Sequence, residues 1–263
     1  MPANFFHKLS FENIFLKISP LVPRSFPTYS QYSDFFPFVY NTNLTTIIYA
    51  LNYSFFLQPQ FKQSESIIVS IFDRQGVLIR DFSHDLNSDT FFTPINLAAF
   101  LPIDSYGSFT IYHRFDPSIL NLSSVFADRS YISFANIDSK FQHFFHGNQD
   151  SIVYSSDPKI LRPLRPSFIP RVYRPQFTFE SDTLYTLIFS NPTKKRLFYI
   201  IKCTNIFFQT FYRYFLIPPM GTNFLELPLH HNPFHITIIS NHPFPRPVIM
   251  TGSQTQLSDI FHS

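Results

Sequence analysis

Tryptophan is absent from this chain of 263 residues, cysteine occurs once, glycine five times, and charged residues make up only 14%. The lone Cys203 excludes an internal disulfide and a thiolate-rich metal site, and it suits a reducing compartment. Five scattered glycines leave no phosphate-cradling loop. GxGxxG, Walker, GxSxG and HExxH patterns are all missing, which removes the commonest nucleotide-binding and hydrolase motifs. The formal charge of +3 is too small to imply a nucleic-acid partner, which needs Lys and Arg concentrated on one face. Long apolar runs are also lacking. From Asp34 to Lys62 no residue between the two is charged, yet Asn41, Thr45, Asn52 and Gln58 fall inside the stretch, so no transmembrane span is expected.

The start, MPANFFHKLSFENIFLKISP, carries Lys8, Glu12 and Lys17 where a signal peptide needs an unbroken apolar run. No cleavable signal is expected, a cytoplasmic location follows, and the sequons at Asn43, Asn52 and Asn121 are then incidental. Phe5, Leu9, Phe11, Phe15 and Ile18 recur at helical spacing and predict a short helix over 4–18.

What the chain has in abundance is 36 Phe, 14 Tyr and 22 Pro. Aromatic side chains favour half-buried pleated surfaces and proline favours turns, so the composition points to an all-β protein. Residues 177–240 fit that reading: short apolar or alternating runs are punctuated by SD, NPTKK, CTN, PPMG and HHNP. The run 206–216 reads as one aromatic strand covered on both sides. Leu187, Phe189, Phe198, Ile200, Phe208, Ile236 and Ile238 are expected in the core. The earlier chain follows the same order, FVYNTNLTTIIYALNYS matching FTFESDTLYTLIFSNPT and SIIVSIFDRQGVLIRDF matching LFYIIKCTNIFFQTFYRY, as a duplicated unit would. Glycines 76, 107, 147, 221 and 252 lie where strands turn and positive φ is useful.

The pattern NPTKKRLFYIIKCTN…PPMGTNFLEL resembles the immunoglobulin-like or fibronectin-like sandwich modules of bacterial proteins. The resemblance covers 173–252 and, in outline, 35–115, and it concerns architecture alone. It implies two tandem antiparallel β-sandwich domains. The boundaries expected are an N-terminal segment 1–34, a first sandwich with an added hairpin over 35–156, an Arg/Pro-rich connector 157–172 and a second sandwich over 173–263.

Candidate sites are few. KFQHFFHGNQD places His143 and His146 three residues apart, on opposite faces of a strand, which argues against a shared metal. HDLNSDTFFTPIN begins like a calcium loop with Asp85, Asn87 and Asp89, but Thr90 and Asn96 stand where Gly and Glu belong, leaving a polar loop with Asx turns. His230, His231, His235 and His242 cluster in sequence without a completing acid or thiol, and read as surface histidines. The connector sets Arg162, Arg165, Arg171 and Arg174 among prolines, an extended ordered link. Arg129, His146, Asn148, Arg162 and Arg165 are therefore expected near the domain junction, tying the domains together or holding an anionic or hydroxylated ligand. No metal and no cofactor is assigned.

These readings favour a non-enzymatic binding or assembly protein, with a carbohydrate or small anion as the ligand class and a homo-oligomer compatible with the composition. One alternative is a carbohydrate-active enzyme with a carboxylate pair drawn from Asp85, Asp89, Asp128, Asp150 or Glu226. Another is a phage or cell-surface structural subunit.

Overall fold

The computed structural model describes residues 31–52, 55, 65–114, 130–138, 142–146, 150–153, 166–176, 178–227, 232–242, 245–253 and 256–262. The predicted helix over 4–18 lies outside them, as does Gly147. Nine strands form the first half: β1 (Gln31–Tyr40), β2 (Leu44–Leu51), β3 (Ser66–Asp73), β4 (Leu78–Asp85), β5 (Phe92–Asn96), β6 (Ser105–Arg114), β7 (Tyr131–Asn136), β8 (Gln142–His146) and β9 (Asp150–Val153). Eight follow: β10 (Arg171–Tyr173), β11 (Tyr185–Ser190), β12 (Leu197–Asn205), β13 (Thr210–Ile217), β14 (Thr222–Glu226), β15 (Phe234–Ser240), β16 (Val248–Ser253) and β17 (Gln256–His262). The fold is all-β, as expected, and its pairings are antiparallel. No described helix is long and apolar enough to cross a membrane.

Four sheets result, ordered β4-β3-β6-β1-β9, β5-β2-β7-β8, β10-β15-β12-β13 and β14-β11-β16-β17; we call them A, B, C and D. Sheets A and B enclose one core and C and D another. The two sandwiches share a strand order. Adding nine to each label turns β4-β3-β6-β1 of sheet A into β13-β12-β15-β10 of sheet C, and sheet B into sheet D.

Period-two patterning builds the sheets. Ile67, Val69 and Ile71 on β3 are buried while Ser66, Ile68 and Ser70 between them are half-buried. On β15 Phe234, Ile236, Ile238 and Ser240 point inward, and a fully buried aromatic or aliphatic side chain of this kind contributes about 1.5–3 kcal/mol. The core expectation holds for Leu187, Phe189, Ile236 and Ile238, all buried. It fails for Phe198 and Ile200, because the inward face of β12 is Leu197, Tyr199, Ile201 and Cys203. It also fails for Phe208, which sits on a hairpin tip outside any strand.

Sheet D is covered on both faces. Tyr185, Leu187, Phe189 and Ile249 pack toward sheet C, while Ile188, Phe224, Val248 and Met250 join the core of the first sandwich. That is why every residue of β11 is buried. The joint is sealed by backbone approach. The β3–β4 turn enters the loop before β14, so that a Cβ on Gly76 would lie 1.8 Å from Pro219 O and one on Gly221 2.7 Å from Arg74 O. Thr222 N donates to Arg74 O at 3.2 Å, Ser108 Oγ donates to Met220 O, and the Arg74 guanidinium lies 5.5 Å over the Phe224 ring. Asn191 shapes the receiving loop, its Nδ2 donating to the carbonyls of Lys195, Ile217 and Pro218. Gly76 and Gly252 do have positive φ. Gly107 and Gly221 do not, and at both the requirement is close approach of another backbone.

Candidate functional site

Of the residues expected at the junction, Arg129, Asn148, Arg162 and Arg165 lie outside the described residues. His146 ends β8, its backbone opposite Tyr131. The hairpin that carries it is formed as the sequence suggests, with β8 paired to β7. His143 Nδ1 lies 3.4 Å from Asp259 Oδ1 on β17, so this hairpin runs beside the second sandwich. His230 and His231 are also undescribed, and the other two members of that run are unlike: His235 is exposed on β15 and His242 is buried. Among the described residues no group of three or more His, Cys, Asp or Glu is arranged to hold a metal. In the 85–96 loop Asn87 Oδ1 accepts from Asp89 N at 3.0 Å, an Asx turn. Asp85, Asp89 and Glu226 are exposed.

One buried polar chain was not legible in the sequence. His113 extends the inward face of β6 beyond Phe109 and Ile111. Its Nδ1 lies 2.8 Å from Glu65 Oε1 and its Nε2 3.3 Å from Ser130 Oγ. Ser130 Oγ also accepts from Leu51 N at 3.2 Å. The order hydroxyl, imidazole, carboxylate is that of a nucleophile with its base and orienting acid. Here all three side chains are sealed from solvent, and the hydroxyl is engaged by a strand amide. The chain therefore joins the segment before β3 to β6, to the start of β7 and to the end of β2.

The exposed chemistry lies elsewhere, on the β12–β13 hairpin. Its tip, Asn205-Ile206-Phe207-Phe208-Gln209, reproduces the β3–β4 turn Asp73-Arg74-Gln75-Gly76-Val77 bond for bond. Phe208 N donates to Asn205 O at 3.0 Å as Gly76 N does to Asp73 O at 3.0 Å. Asn205 Oδ1 accepts from Phe207 N and Gln209 N, and Asp73 Oδ1 accepts from Gln75 N and Val77 N. Both turns need a left-handed residue at the fourth position. The first has Gly76 at φ 80° and the second has Phe208 at φ 62°. A side chain there costs about 1–2 kcal/mol, and the Phe208 ring is 87% exposed, so no packing among the described residues offsets that cost.

The surface continues along the sheet. Tyr212, Tyr214 and Leu216 are exposed on the outer face of β13, with the two tyrosine rings 6.1 Å apart and 19° from parallel. Register sets Ile200 beside Tyr214 and beside Ile239, and Ile239 beside Val172, an apolar row across all four strands of sheet C. The inner face of β13 is ordinary core: Phe215 stacks on Tyr199 at 5.3 Å. Cys203 faces inward as well, and burial pushes its thiol up to about 12, with Arg213 opposing the shift. It is a protonated core residue at neutral pH.

No protein-family model matches the chain, and no curated protein does. Among solved structures it is similar to a calcium-binding mutant of Bacteroides uniformis β-glucuronidase 2, at a TM-score of 0.21 and 11% identity over 89% of this chain and 26% of that one. A β-glucuronidase from glycoside hydrolase family 2 gives 0.15 and 9% over 90% and 24%. The chain thus spans about a quarter of each, and at such scores the likeness assigns neither fold nor function.

Proposed function

We propose that this protein works by association, as a binding or assembly protein, and that its working surface is the tip and outer face of the β12–β13 hairpin. The observation that carries the reading is Phe208. An exposed aromatic ring is held in a backbone conformation that glycine adopts in the equivalent turn, and local strain of this kind is retained where a function uses it. The equivalent turn of the first sandwich already serves as a docking element, since it seats in the loop before β14. The buried Glu65–His113–Ser130 chain is read as a structural tie between strands of the first sandwich.

Hydroxyl-radical footprinting of the purified chain tests this, at low and high protein concentration and with soluble cello-, xylo- and chito-oligosaccharides. Protection of Phe207, Phe208, Tyr212 and Tyr214 in at least one condition is expected. Tyrosines that react equally throughout, together with covalent labelling of Ser130 by a fluorophosphonate, would replace association by a hydrolase.

A further inference from the structure

We infer that the partner of this surface is a second copy of the chain, joined by antiparallel pairing of β13 with β13 about a two-fold axis at Tyr212. The inference rests on the association reading and names its partner.

A free sheet edge invites another strand, and proteins blunt such edges with charge, proline, shortness or cover. The other edges of this chain show those devices. The position equivalent to β13 is β4, whose sequence LIRDFSHD carries Arg80, Asp81 and Asp85. β5 contains Pro94, and β9 and β10 have four and three residues. β14 has five residues and ends in the exposed Glu226, and β8 and β17 lie against each other at His143 and Asp259. β13, TFYRYFLI, has eight residues, one charge and no proline, and its pairing to β12 is unbroken from Leu197–Ile217 to Thr204–Thr210. Among the described residues nothing pairs with its other side.

Charge and register then select the occupant. Ile206, Phe207, Phe208, Tyr212, Tyr214 and Leu216 are exposed by 53, 64, 87, 46, 68 and 62%. At roughly 200 Å² for each aromatic side chain and somewhat less for the aliphatic ones, that leaves on the order of 700 Å² of apolar surface. Pairing in the plane of the sheet covers only the part of that surface that faces the partner strand, so the interface falls below the standard of about 800 Å² per partner. A two-fold axis perpendicular to the sheet opposes residues of the same face, so only a few registers exist. An axis at Arg213 sets two arginines against each other, which is unfavourable. An axis at Tyr214 carries the tip aromatics beyond the partner's strand. With the axis at Tyr212, Tyr212 opposes its own copy, Thr210 opposes Tyr214 and Arg213 opposes Phe211, while the tip that carries Phe208 lies outside the paired strand. The apolar residues meet, and each arginine faces an aromatic ring.

Light scattering of the full chain between about 1 and 100 µM, the range in which an interface of this class is read, should show the mass doubling. Tyr212→Lys, which places like charges on the axis, should remain at the monomer mass at every concentration while melting as wild type. Tyr212→Cys should form a disulfide-linked dimer under mild oxidation, since opposed Cβ atoms lie about 4.5–5.5 Å apart, whereas Tyr214→Cys should not. The native Cys203 is buried and does not compete. The cysteine pair reads the register independently, should the lysine variant fail to fold. A chain that stays monomeric at about 100 µM, or a Tyr214→Cys variant that cross-links as readily as Tyr212→Cys, would overturn the inference. Footprint protection of a monomer by an oligosaccharide would overturn it too, while leaving the association reading standing.

Discussion

Replacing Phe208 by glycine should make the isolated chain more stable. The left-handed conformation at φ 62° costs a residue with a Cβ about 1–2 kcal/mol. Glycine removes that cost but loses about 0.5–1 kcal/mol to the greater freedom of its unfolded chain. The ring is 87% exposed, so its removal forfeits little packing. The balance is a gain of roughly 0.5–1 kcal/mol, or a rise in Tm of about 1–4 °C for a chain of this size. Phe208→Asn should gain similarly, because asparagine tolerates the conformation with less entropy loss. The assay is urea unfolding and a thermal scan at a protein concentration low enough to keep the chain monomeric. The same variants should lose concentration-dependent association, so stability and function move in opposite directions. A Phe208→Gly chain destabilised by more than about 1 kcal/mol would refute the reasoning, since it would mean the ring makes contacts that support the fold.

Gly76→Ala adds a Cβ that would meet Pro219 O at 1.8 Å at a backbone φ of 80°. It should cost more than about 2 kcal/mol and split the melting of the two sandwiches into separate calorimetric transitions. Glu65→Ala leaves His113 buried without its 2.8 Å partner and should cost about 1–3 kcal/mol by urea unfolding, with Glu65→Gln costing less because a hydrogen bond to the ring survives. Cys203 should resist thiol reagents until the chain unfolds. Its folded pKa is raised from 9.0 to about 12, so the protonated thiol's contribution is complete below about pH 9 and is lost as pH rises through about 12. Over that window the stability of wild type should fall more steeply than that of Cys203→Ala, by up to about 1.4 kcal/mol per pH unit; parallel slopes would disprove the burial effect.

Where polar residues alternate with apolar ones, the sequence is legible. β3 and β15 read directly, and β11 reads as a continuous apolar run because neighbours cover both its faces. The faces of β12 do not, since LFYIIKC is apolar at odd and even positions alike and only the sandwich decides that Leu197, Tyr199 and Ile201 point inward. The hairpin tip is hidden for a related reason. Asp73-Arg74-Gln75-Gly76 announces a turn by its glycine, but Asn205-Ile206-Phe207-Phe208 holds the same turn with residues that look like strand. The Glu65–His113–Ser130 chain joins residues 48 and 17 positions apart, a separation that carries no local motif. The available signal was His113 itself, an ionisable residue on the core face of β6 that needs a buried partner.

The two equivalent hairpins explain how one strand order serves two ends. In the first sandwich the tip carries Gly76, and its lack of a Cβ lets the backbone close on Pro219, so the hairpin is consumed in fixing the sandwiches to each other. In the second the same turn carries Phe208, which no close approach of that kind could accommodate, and its ring points to solvent. Sheet D, packed on the first core by Ile188 and Met250 and on sheet C by Leu187 and Ile249, makes sheet C the layer remote from the first sandwich. A surface on sheet C can therefore pair without disturbing the joint, and a two-fold perpendicular to that sheet leaves both N-terminal sandwiches on the same face of the joined sheet. Substitutions at Gly76 should then break the joint and leave β13 pairing intact, while Tyr212→Lys should do the reverse, because each hairpin is committed to one interface by the single residue that occupies its left-handed position.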